Sequence, residues 1–220
     1  LRGLQIHFLT CLLLKQSISL ANQSTIVVAT NNPGKLKEFV LLLPNYKIIS
    51  QNSLGITPDE ELGETFFENS LQKARVANVA SGMASLGDDS GLIVPALNNL
   101  PGLRSARYAH DCATDEENRQ HLKKELENLK LNQAKAYFVC VLVFVQVPAD
   151  PFPLIATGLL EGTVKTTMQG DNGFGYDPMF YPKNSNVSLG EMGADKKALL
   201  SHRGKAIHIL TKKIEGFASE

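Results

Sequence analysis

The chain has 220 residues, of which 43% are hydrophobic and 20% charged. This composition is typical of a soluble globular protein with one substantial domain or two tightly joined lobes. The 22 basic and 22 acidic residues cancel; with no concentrated basic run, a nucleic-acid partner is not expected. The cysteines Cys11, Cys112 and Cys140 are few and far apart, which indicates a reducing compartment and neither a disulfide framework nor a cysteine metal site.

The first 24 residues differ from the rest of the chain. Ile6 to Leu14 is mostly apolar, follows Arg2 and precedes small polar residues, as in a weak targeting peptide. This stretch is too short to cross a bilayer as a helix. We expect residues 1–24 to be a removable or mis-annotated extension, with an ordered addition or a true targeting segment as the alternatives, and residues 25–220 to form the functional domain. The expected location is cytoplasmic, with no membrane partner.

The functional domain begins with a predicted strand, loop and helix. Thr25–Ala29 is a short apolar run that predicts a buried strand. Pro33 suits the first position of a helix, whose predicted apolar face contains Leu36, Phe39, Val40 and Leu43. A second strand is predicted over Tyr46–Ile49. The loop 30–35 therefore precedes a helix N-terminus, where backbone N–H groups and the helix dipole favour an anion.

Helices and strands continue to alternate along the chain. Capping-box spacing predicts helices from Thr65 to about Ala80 and from Thr114 to about Leu129. Apolar and β-branched runs predict strands over Leu92–Leu97, Tyr137–Val147, Ile155–Leu160 and Gly162–Thr167. Gly170–Pro182 is predicted to be irregular, and a last helix is predicted to begin near Ser201. This order predicts an α/β fold with a mixed sheet.

The segment Thr30-Asn31-Asn32-Pro33-Gly34-Lys35 could surround phosphate oxygens with hydroxyl, amide, backbone N–H and ammonium groups. It lacks the Gly-x-x-x-x-Gly-Lys-Ser/Thr pattern of a P-loop. An ordinary strand-to-helix turn with an exposed lysine is the alternative interpretation.

Neighbouring carboxylates at Asp88 and Asp89 repel each other unless a cation or hydrogen-bond donors compensate. Mg²⁺ could bridge them to substrate phosphates, and one carboxylate could accept a proton from water. Glu68, in the first turn of its helix, could supply a third carboxylate. The alternatives are a polar turn at Asp88 and a helix cap at Glu68.

Two later segments suit the other end of a nucleotide. A base could stack on an aromatic ring of Phe174-Gly175-Tyr176-Asp177. His202 and Arg203 could donate hydrogen bonds to a purine carbonyl, and Lys197 could reach a phosphate or the base. The alternatives are an aromatic loop that packs on the core and a structural His-Arg pair.

Taken together, these segments resemble the inosine triphosphate pyrophosphatase family. The matching stretches are 27–35, 65–70, 87–92, 101–109, 173–178 and 201–204, in the order expected for the family. The resemblance covers about Ile26 to Ile214. It implies a two-lobed α/β protein with a long mixed central sheet flanked by helices and an active site in the cleft between the lobes. It also implies a Mg²⁺-dependent homodimer that hydrolyses ITP, dITP and XTP to the monophosphate and pyrophosphate.

The resemblance also implies roles for individual residues. Asp89 would be the proton acceptor and a metal ligand, with Glu68 and Asp88 completing the metal site. The implied substrate contacts are Thr30, Asn31, Asn32, Pro33, Gly34, Lys35, Ser90, Phe174, Gly175, Tyr176, Asp177, Lys197, His202 and Arg203. Two other functions stay open from the sequence: a nucleotide sensor without hydrolysis, and a phosphatase that releases orthophosphate from the γ position.

Overall fold

The structure, a computed structural model, describes residues 24–57 and 60–217. Residues 1–23 of the predicted extension lie outside the described residues. The strands are β1 Thr25–Ala29, β2 Lys47–Ser50, β3 Ser85–Val94, β4 Leu100–Pro101, β5 Gln133–Val145, β6 Leu154–Lys165 and β7 Phe180–Pro182. The helices are α1 Pro33–Leu42, α2 Phe66–Ser81, α3 Asp115–Asn128, α4 Ala194–Leu200 and α5 His202–Phe217.

One mixed sheet organises the described residues. Its strand order is β2-β1-β3-β5-β6-β7, and β4 pairs with the end of β3. β1 is parallel to both β2 and β3, whereas β3, β5, β6 and β7 pair antiparallel. The predicted α/β fold with a mixed central sheet flanked by helices is therefore confirmed.

Two hydrophobic cores lie along one face of the long strands. Around one end, Phe39 of α1 and Leu210 of α5 pack in a cluster with Leu142 of β5. Around the other end, Leu122 of α3 packs in a cluster with Phe138 of β5. Side chains alternate between faces along a strand, so β3 also presents polar side chains on this face between its two apolar ends. The buried polar cluster of Asp88, Lys35 and Arg203 forms there.

The helix starts follow from local capping chemistry. Asn32 accepts a hydrogen bond from the Lys35 N–H at 3.0 Å ahead of α1. Thr65 caps α2 in the same way, and Thr114 forms a reciprocal capping box with Glu117 at α3. Each hydroxyl or amide oxygen satisfies an N–H group that has no partner within the helix. These predicted starts are confirmed.

Several predicted strand boundaries are wrong; β5, for example, is Gln133–Val145 and not Tyr137–Val147. β3 begins at Ser85 and ends at Val94, so the Asp88–Gly91 segment lies within the strand and not in a turn before it. The two strands predicted over Ile155–Leu160 and Gly162–Thr167 are the single strand β6. Gly162 does not break it; β7 passes so close that a Cβ atom there would lie 2.3 Å from the Tyr181 carbonyl oxygen.

Two helix predictions also need correction. Val40 was expected on the buried face of α1 but is 55% exposed, because the inward face carries Phe39 and Leu43 together with the polar residues Lys35 and Glu38. α4 was not predicted, and a short strand, β7, occupies part of the segment expected to be irregular.

Two backbone carbonyl groups on the outer edge of β6 accept hydrogen bonds from lysines of α5. Lys205 of α5 donates to the Leu159 carbonyl at 2.9 Å, and Lys213 donates to the Ile155 carbonyl at 2.6 Å. Both carbonyls lie on the part of β6 that precedes its pairing with β7. Within the described ranges, no helix is long and apolar enough to traverse a bilayer.

Candidate active site

An open pocket lies where the loop after β1, strand β3 and the N-terminus of α5 meet. Its empty volume of about 790 Å³, including space open to solvent, is within the range of small-molecule sites. The predicted site residues that line it are Asn32, Lys35, Asp89, Ser90, Phe174, Gly175, Tyr176, Asp177, Lys197, His202 and Arg203. Segments far apart in sequence thus converge on one cavity.

The other predicted site residues do not line this pocket. They are Thr30, Asn31, Pro33, Gly34, Glu68 and Asp88. Thr30 Oγ1 accepts a hydrogen bond from the Asn32 N–H at 3.1 Å, and Asn31 Oδ1 accepts one from Gln51 at 3.1 Å. These contacts shape the loop, and direct binding of phosphate by these residues stays a prediction.

Asp88 and Asp89 lie on opposite faces of the sheet, because successive strand residues alternate. The Asp88 side chain is buried and bound by Lys35 Nζ at 3.0 Å, Arg203 Nη2 at 3.1 Å and the Cys140 thiol at 3.3 Å. Burial alone would raise the pKa of Asp88, but Arg203 and Lys35 outweigh it and hold that pKa well below its usual range. The negative charge of Asp88 is therefore neutralised by two cationic side chains of the protein, Lys35 and Arg203.

Asp89 faces α2 and the pocket. Asn69 donates to Asp89 Oδ2 at 3.2 Å, and Lys73 Nζ lies 2.8 Å from Asp89 Oδ1. Lys73 Nζ also lies 2.5 Å from Glu61 Oε1. Burial raises the pKa of Asp89 and outweighs the opposing effect of Lys73. Asp89 is thus a pocket-facing carboxylate with a raised pKa.

Glu68, predicted as a metal ligand, caps the start of α2. Its Oε2 accepts hydrogen bonds from the Glu64 N–H at 2.8 Å and from the Thr65 hydroxyl at 3.0 Å. Glu68 is not among the residues that line the pocket, whereas Glu61 is. The metal role of Glu68 stays a prediction, and Glu61 is the acidic residue that the structure brings to Asp89 through Lys73.

Sequence reasoning missed Glu61, Lys73 and Arg107. Arg107 Nη1 lies 3.0 Å from Glu61 Oε2, so Glu61 receives two cations. Burial alone would raise the pKa of Glu61, but Lys73 and Arg107 lower it. One signal was available, since Asn69 and Lys73 have the i,i+4 spacing that places two side chains on one helix face.

The Phe174 end of the pocket is held by a chain of ion pairs. Asp177 Oδ2 accepts from the Phe174 N–H at 2.8 Å and from Lys197 Nζ at 2.7 Å. Lys197 also contacts Glu38 Oε1 at 2.7 Å, and Glu38 in turn pairs with Arg203. Burial lowers the pKa of Lys197, but Asp177 and Glu38 outweigh it and raise that pKa. Glu38 was another residue that the sequence did not single out.

His202 presents a neutral ring to the pocket. Burial, with the nearby Arg203 charge, lowers the pKa of His202 well below its usual value. The ring stacks on Phe138 with 4.8 Å between centroids and 10° between planes. Arg203 donates to Ser90 Oγ at 2.9 Å as well as to Asp88 and Glu38. In the described part of the chain, His202 Nδ1 and Arg203 Nε have no hydrogen-bond partner.

The pocket lining therefore combines two kinds of group. Lys35, Lys73 and Asp89 provide cations and a carboxylate, and Phe174 and His202 provide aromatic rings. Charged donors suit phosphate oxygens, and aromatic rings suit a flat base. The fold and the site define an α/β protein with a nucleotide-type pocket.

The comparisons agree with this class. The model of the Ham1 family matches residues 26–213, and this chain belongs to the Ham1 family. A dITP/XTP pyrophosphatase of Legionella pneumophila (strain Lens) is 45% identical over 185 residues, which cover 84% of this chain and 95% of that protein. The dITP/XTP pyrophosphatase of Haemophilus influenzae is 44% identical over 191 residues, or 86% and 98% of the two chains.

The fold agrees as well. The solved structure of a HAM1 protein from Coxiella burnetii has a TM-score of 0.80 and 39% sequence identity. The match covers 88% of this chain and 99% of that one. The resemblance drawn from the motifs is therefore confirmed at the level of family and fold.

Proposed function

We propose that this protein hydrolyses the aberrant purine nucleoside triphosphates ITP, dITP and XTP to the monophosphate and pyrophosphate, which keeps deaminated purines out of DNA and RNA. The observation that carries the proposal is the Glu61–Lys73–Asp89 group in a pocket that is also lined by aromatic rings. The names of relatives that share 44–45% identity over most of their length support the same reaction.

Asp89 is the proposed proton acceptor. Water adds across the anhydride bond between the α and β phosphorus atoms, that bond breaks, and Asp89 takes the water proton. A raised pKa makes a carboxylate a stronger base, and burial raises the pKa of Asp89. Asn69 and Lys73 fix the orientation of this carboxylate from α2.

Lys35 and Lys73 are proposed to stabilise the negative charge of the triphosphate. Both ammonium groups are already positioned by carboxylates, Lys35 by Asp88 and Lys73 by Asp89 and Glu61. Charged donors fixed before the reaction stabilise charge that develops on phosphate oxygens without further reorganisation.

Mg²⁺ is proposed to bind at the pocket carboxylates Asp89 and Glu61, which Lys73 bridges in this structure. Among residues 24–57 and 60–217, no group of three or more His, Cys, Asp and Glu forms a complete metal cage. Mg²⁺ commonly uses one or two carboxylates together with substrate phosphates and water, and Asp89 and Glu61 supply such a pair. When bound, the ion would neutralise phosphate oxygens and lower the pKa of a bound water.

Base selection is proposed to depend on the Phe174 end. Hypoxanthine and xanthine carry an oxygen at position 6 where adenine carries an amino group. His202 and Arg203 line the pocket and are the residues proposed to recognise the base. A donor there satisfies an oxygen but not an amino group, and an unmatched buried polar group costs about 1–3 kcal/mol, which corresponds to roughly tenfold to over a hundredfold discrimination.

A homodimer is part of the same proposal and follows from the family resemblance, and a cytoplasmic location follows from the few, widely spaced cysteines. Light scattering after size-exclusion chromatography measures the mass directly. A dimer has twice the 24.0 kDa of one chain, and a mass of one chain would refute the dimer without affecting the proposed reaction.

Product analysis tests the reaction. The protein is incubated with ITP or ATP, with and without Mg²⁺, and pyrophosphate is measured separately from orthophosphate. The expected result is Mg²⁺-dependent IMP and pyrophosphate from ITP, with ATP nearly inert. Orthophosphate would indicate cleavage at the γ position, and tight ITP binding without turnover would indicate a sensor. Either result would refute the proposal.

A further inference from the structure

The loop Gly173–Asp177 forms the aromatic wall of the pocket, and it contains a glycine in the left-handed region. Gly175 has φ = 59°, a conformation that side-chain-bearing residues rarely adopt. It lies between Phe174 and Tyr176, which both line the pocket. The orientation of the backbone at Gly175 therefore sets where the two rings lie relative to a base.

Side chains of helix α3 form hydrogen bonds with both the backbone N–H and the backbone carbonyl group of Gly175. Asp115 Oδ2 accepts the hydrogen bond of the Gly175 N–H at 2.7 Å. Arg119 Nη1 donates to the Gly175 carbonyl oxygen at 2.6 Å. Asp115 and Arg119 are four residues apart and therefore project from the same side of the helix. Each of these hydrogen bonds has one charged partner, which makes it stronger than a neutral one.

The helix that carries these two side chains is itself fixed. Leu122 and Leu126 anchor α3 in a hydrophobic core. Asn118 accepts from the Ala109 N–H at 3.0 Å and donates to the Ala106 carbonyl at 3.1 Å. Glu116 binds the Arg119 guanidinium at 2.7 Å and so limits its motion. The loop is thus held from a rigid support.

From these contacts we infer that Asp115 and Arg119 are positioning residues for base recognition: they clamp Gly175 and so hold Phe174 and Tyr176 against the base. This inference rests on the proposed function, because it assigns the base to this wall. The proton acceptor Asp89 is held by Asn69 and Lys73 of α2, whereas the clamp holds Gly175 from α3; the clamp should therefore act on substrate binding and not on the bond-breaking step.

The test uses Asp115→Ala, Arg119→Leu and the double variant. Asp115→Asn retains an oxygen that accepts the Gly175 N–H and serves as the conservative variant. Lys123→Ala is the matched control, since Lys123 lies on the same helix and pairs with Glu127 at 3.9 Å and not with the clamp. Circular dichroism and thermal melting establish that each variant is folded.

Hydrogen exchange tests the clamp without any substrate. Peptides that span residues 173–177 are expected to exchange at least about threefold faster in Asp115→Ala and Arg119→Leu, because local opening sets the exchange rate. Asp115→Asn and Lys123→Ala are expected to match the wild-type protein. Unchanged exchange in the folded double variant would overturn the inference.

Kinetics test the effect on the base. KM for ITP is expected to rise about tenfold in Asp115→Ala and Arg119→Leu, with kcat within about twofold, as for a lost interaction shared by ground state and transition state. KM of the double variant should be close to that of either single variant, because Asp115 and Arg119 both hold the same residue, Gly175. Faster exchange with an unchanged KM would also overturn the inference. A wild-type protein that releases no pyrophosphate would instead refute the proposed function, and the exchange result would still decide whether the clamp holds the loop.

Discussion

Replacing Asp88 with Asn removes one negative charge from a cluster that is closed to solvent. The side chains of Asp88 and Arg203 are 0% and 1% exposed, and Lys35 lies 3.0 Å from the same carboxylate oxygen that Arg203 contacts. Removal of one partner from a buried ion pair typically costs about 3–5 kcal/mol, because the other charge stays buried and uncompensated. We expect Asp88→Asn to lower the free energy of unfolding by this amount.

Urea denaturation measures the loss. With a denaturant dependence of about 2 kcal/mol per molar, the midpoint should fall by about 1.5–2.5 M. Asp89→Asn is the matched control, since it is the same substitution one residue along the strand. Burial raises the pKa of Asp89, so its ionised form does not stabilise the fold, and this variant should change the free energy of unfolding by less than about 1 kcal/mol.

The pH dependence follows from the direction of the Asp88 pKa shift. A lowered folded-state pKa means that the carboxylate stabilises the protein above the pKa of an unfolded aspartate, about 3.9. That contribution is lost as the pH falls below this value, by about 1.4 kcal/mol per pH unit. The difference in the free energy of unfolding between the wild type and Asp88→Asn should therefore be constant near neutral pH and should become smaller below about pH 4. Two results would refute the pairing of Asp88 with Lys35 and Arg203. One is a decrease in the free energy of unfolding of less than about 1 kcal/mol at pH 7, and the other is a difference between the two proteins that does not become smaller in acid.

Three further predictions concern turnover. Asp89→Asn should reduce kcat for ITP by at least about a hundredfold while the protein remains folded; a kcat near that of the wild type would remove Asp89 from the role of base. Chelation with EDTA should abolish pyrophosphate release, and added Mg²⁺ should restore it; undiminished release in EDTA would exclude the shared ion. Gly34→Ala places a Cβ atom 2.5 Å from the Phe174 ring, and overpacking of this kind costs about 1–3 kcal/mol. KM for ITP should therefore rise by about tenfold or more, and adding Phe174→Leu to Gly34→Ala should relieve the overpacking. An unchanged KM in Gly34→Ala would contradict the close packing of Gly34 on Phe174.

The parts of the fold that the sequence predicts best are those with local causes. Asn32, Thr65 and Thr114 each bond to an N–H group three residues ahead, so the starts of α1, α2 and α3 are encoded within a few residues. The left-handed Gly82, with φ = 67°, likewise ends α2 where predicted. Neither feature depends on the rest of the molecule.

The segment Asp88–Gly91 shows where local reasoning fails. Asp, Ser and Gly favour turns, yet this stretch lies inside β3 because β5 pairs with it along its length. Lys35, Arg203 and Lys73 compensate the two charges, and these cations come from three different helices. No pattern within the segment indicates them, so its strand conformation could not be predicted from its own residues.

The candidate site was predicted in part for the same reason. Lys35 and Lys197 belong to motifs that could be interpreted individually, and both line the pocket. Glu61 belongs to an acidic loop and Lys73 to the middle of a helix, where charged residues are usually solvated. Their significance lies in the contact between them, which depends on the packing of α2 beside β3.

The lysines at the edge of β6 affect how the protein behaves at high concentration. An uncovered strand offers a row of carbonyl and N–H groups on which a strand of another chain can assemble. Lys205 and Lys213 already occupy the carbonyl oxygens of Leu159 and Ile155, and each brings a positive charge that repels an identical edge. We therefore expect α5 to serve two purposes: its first residue, His202, lines the pocket, and its lysines protect the edge of β6 from pairing with another chain.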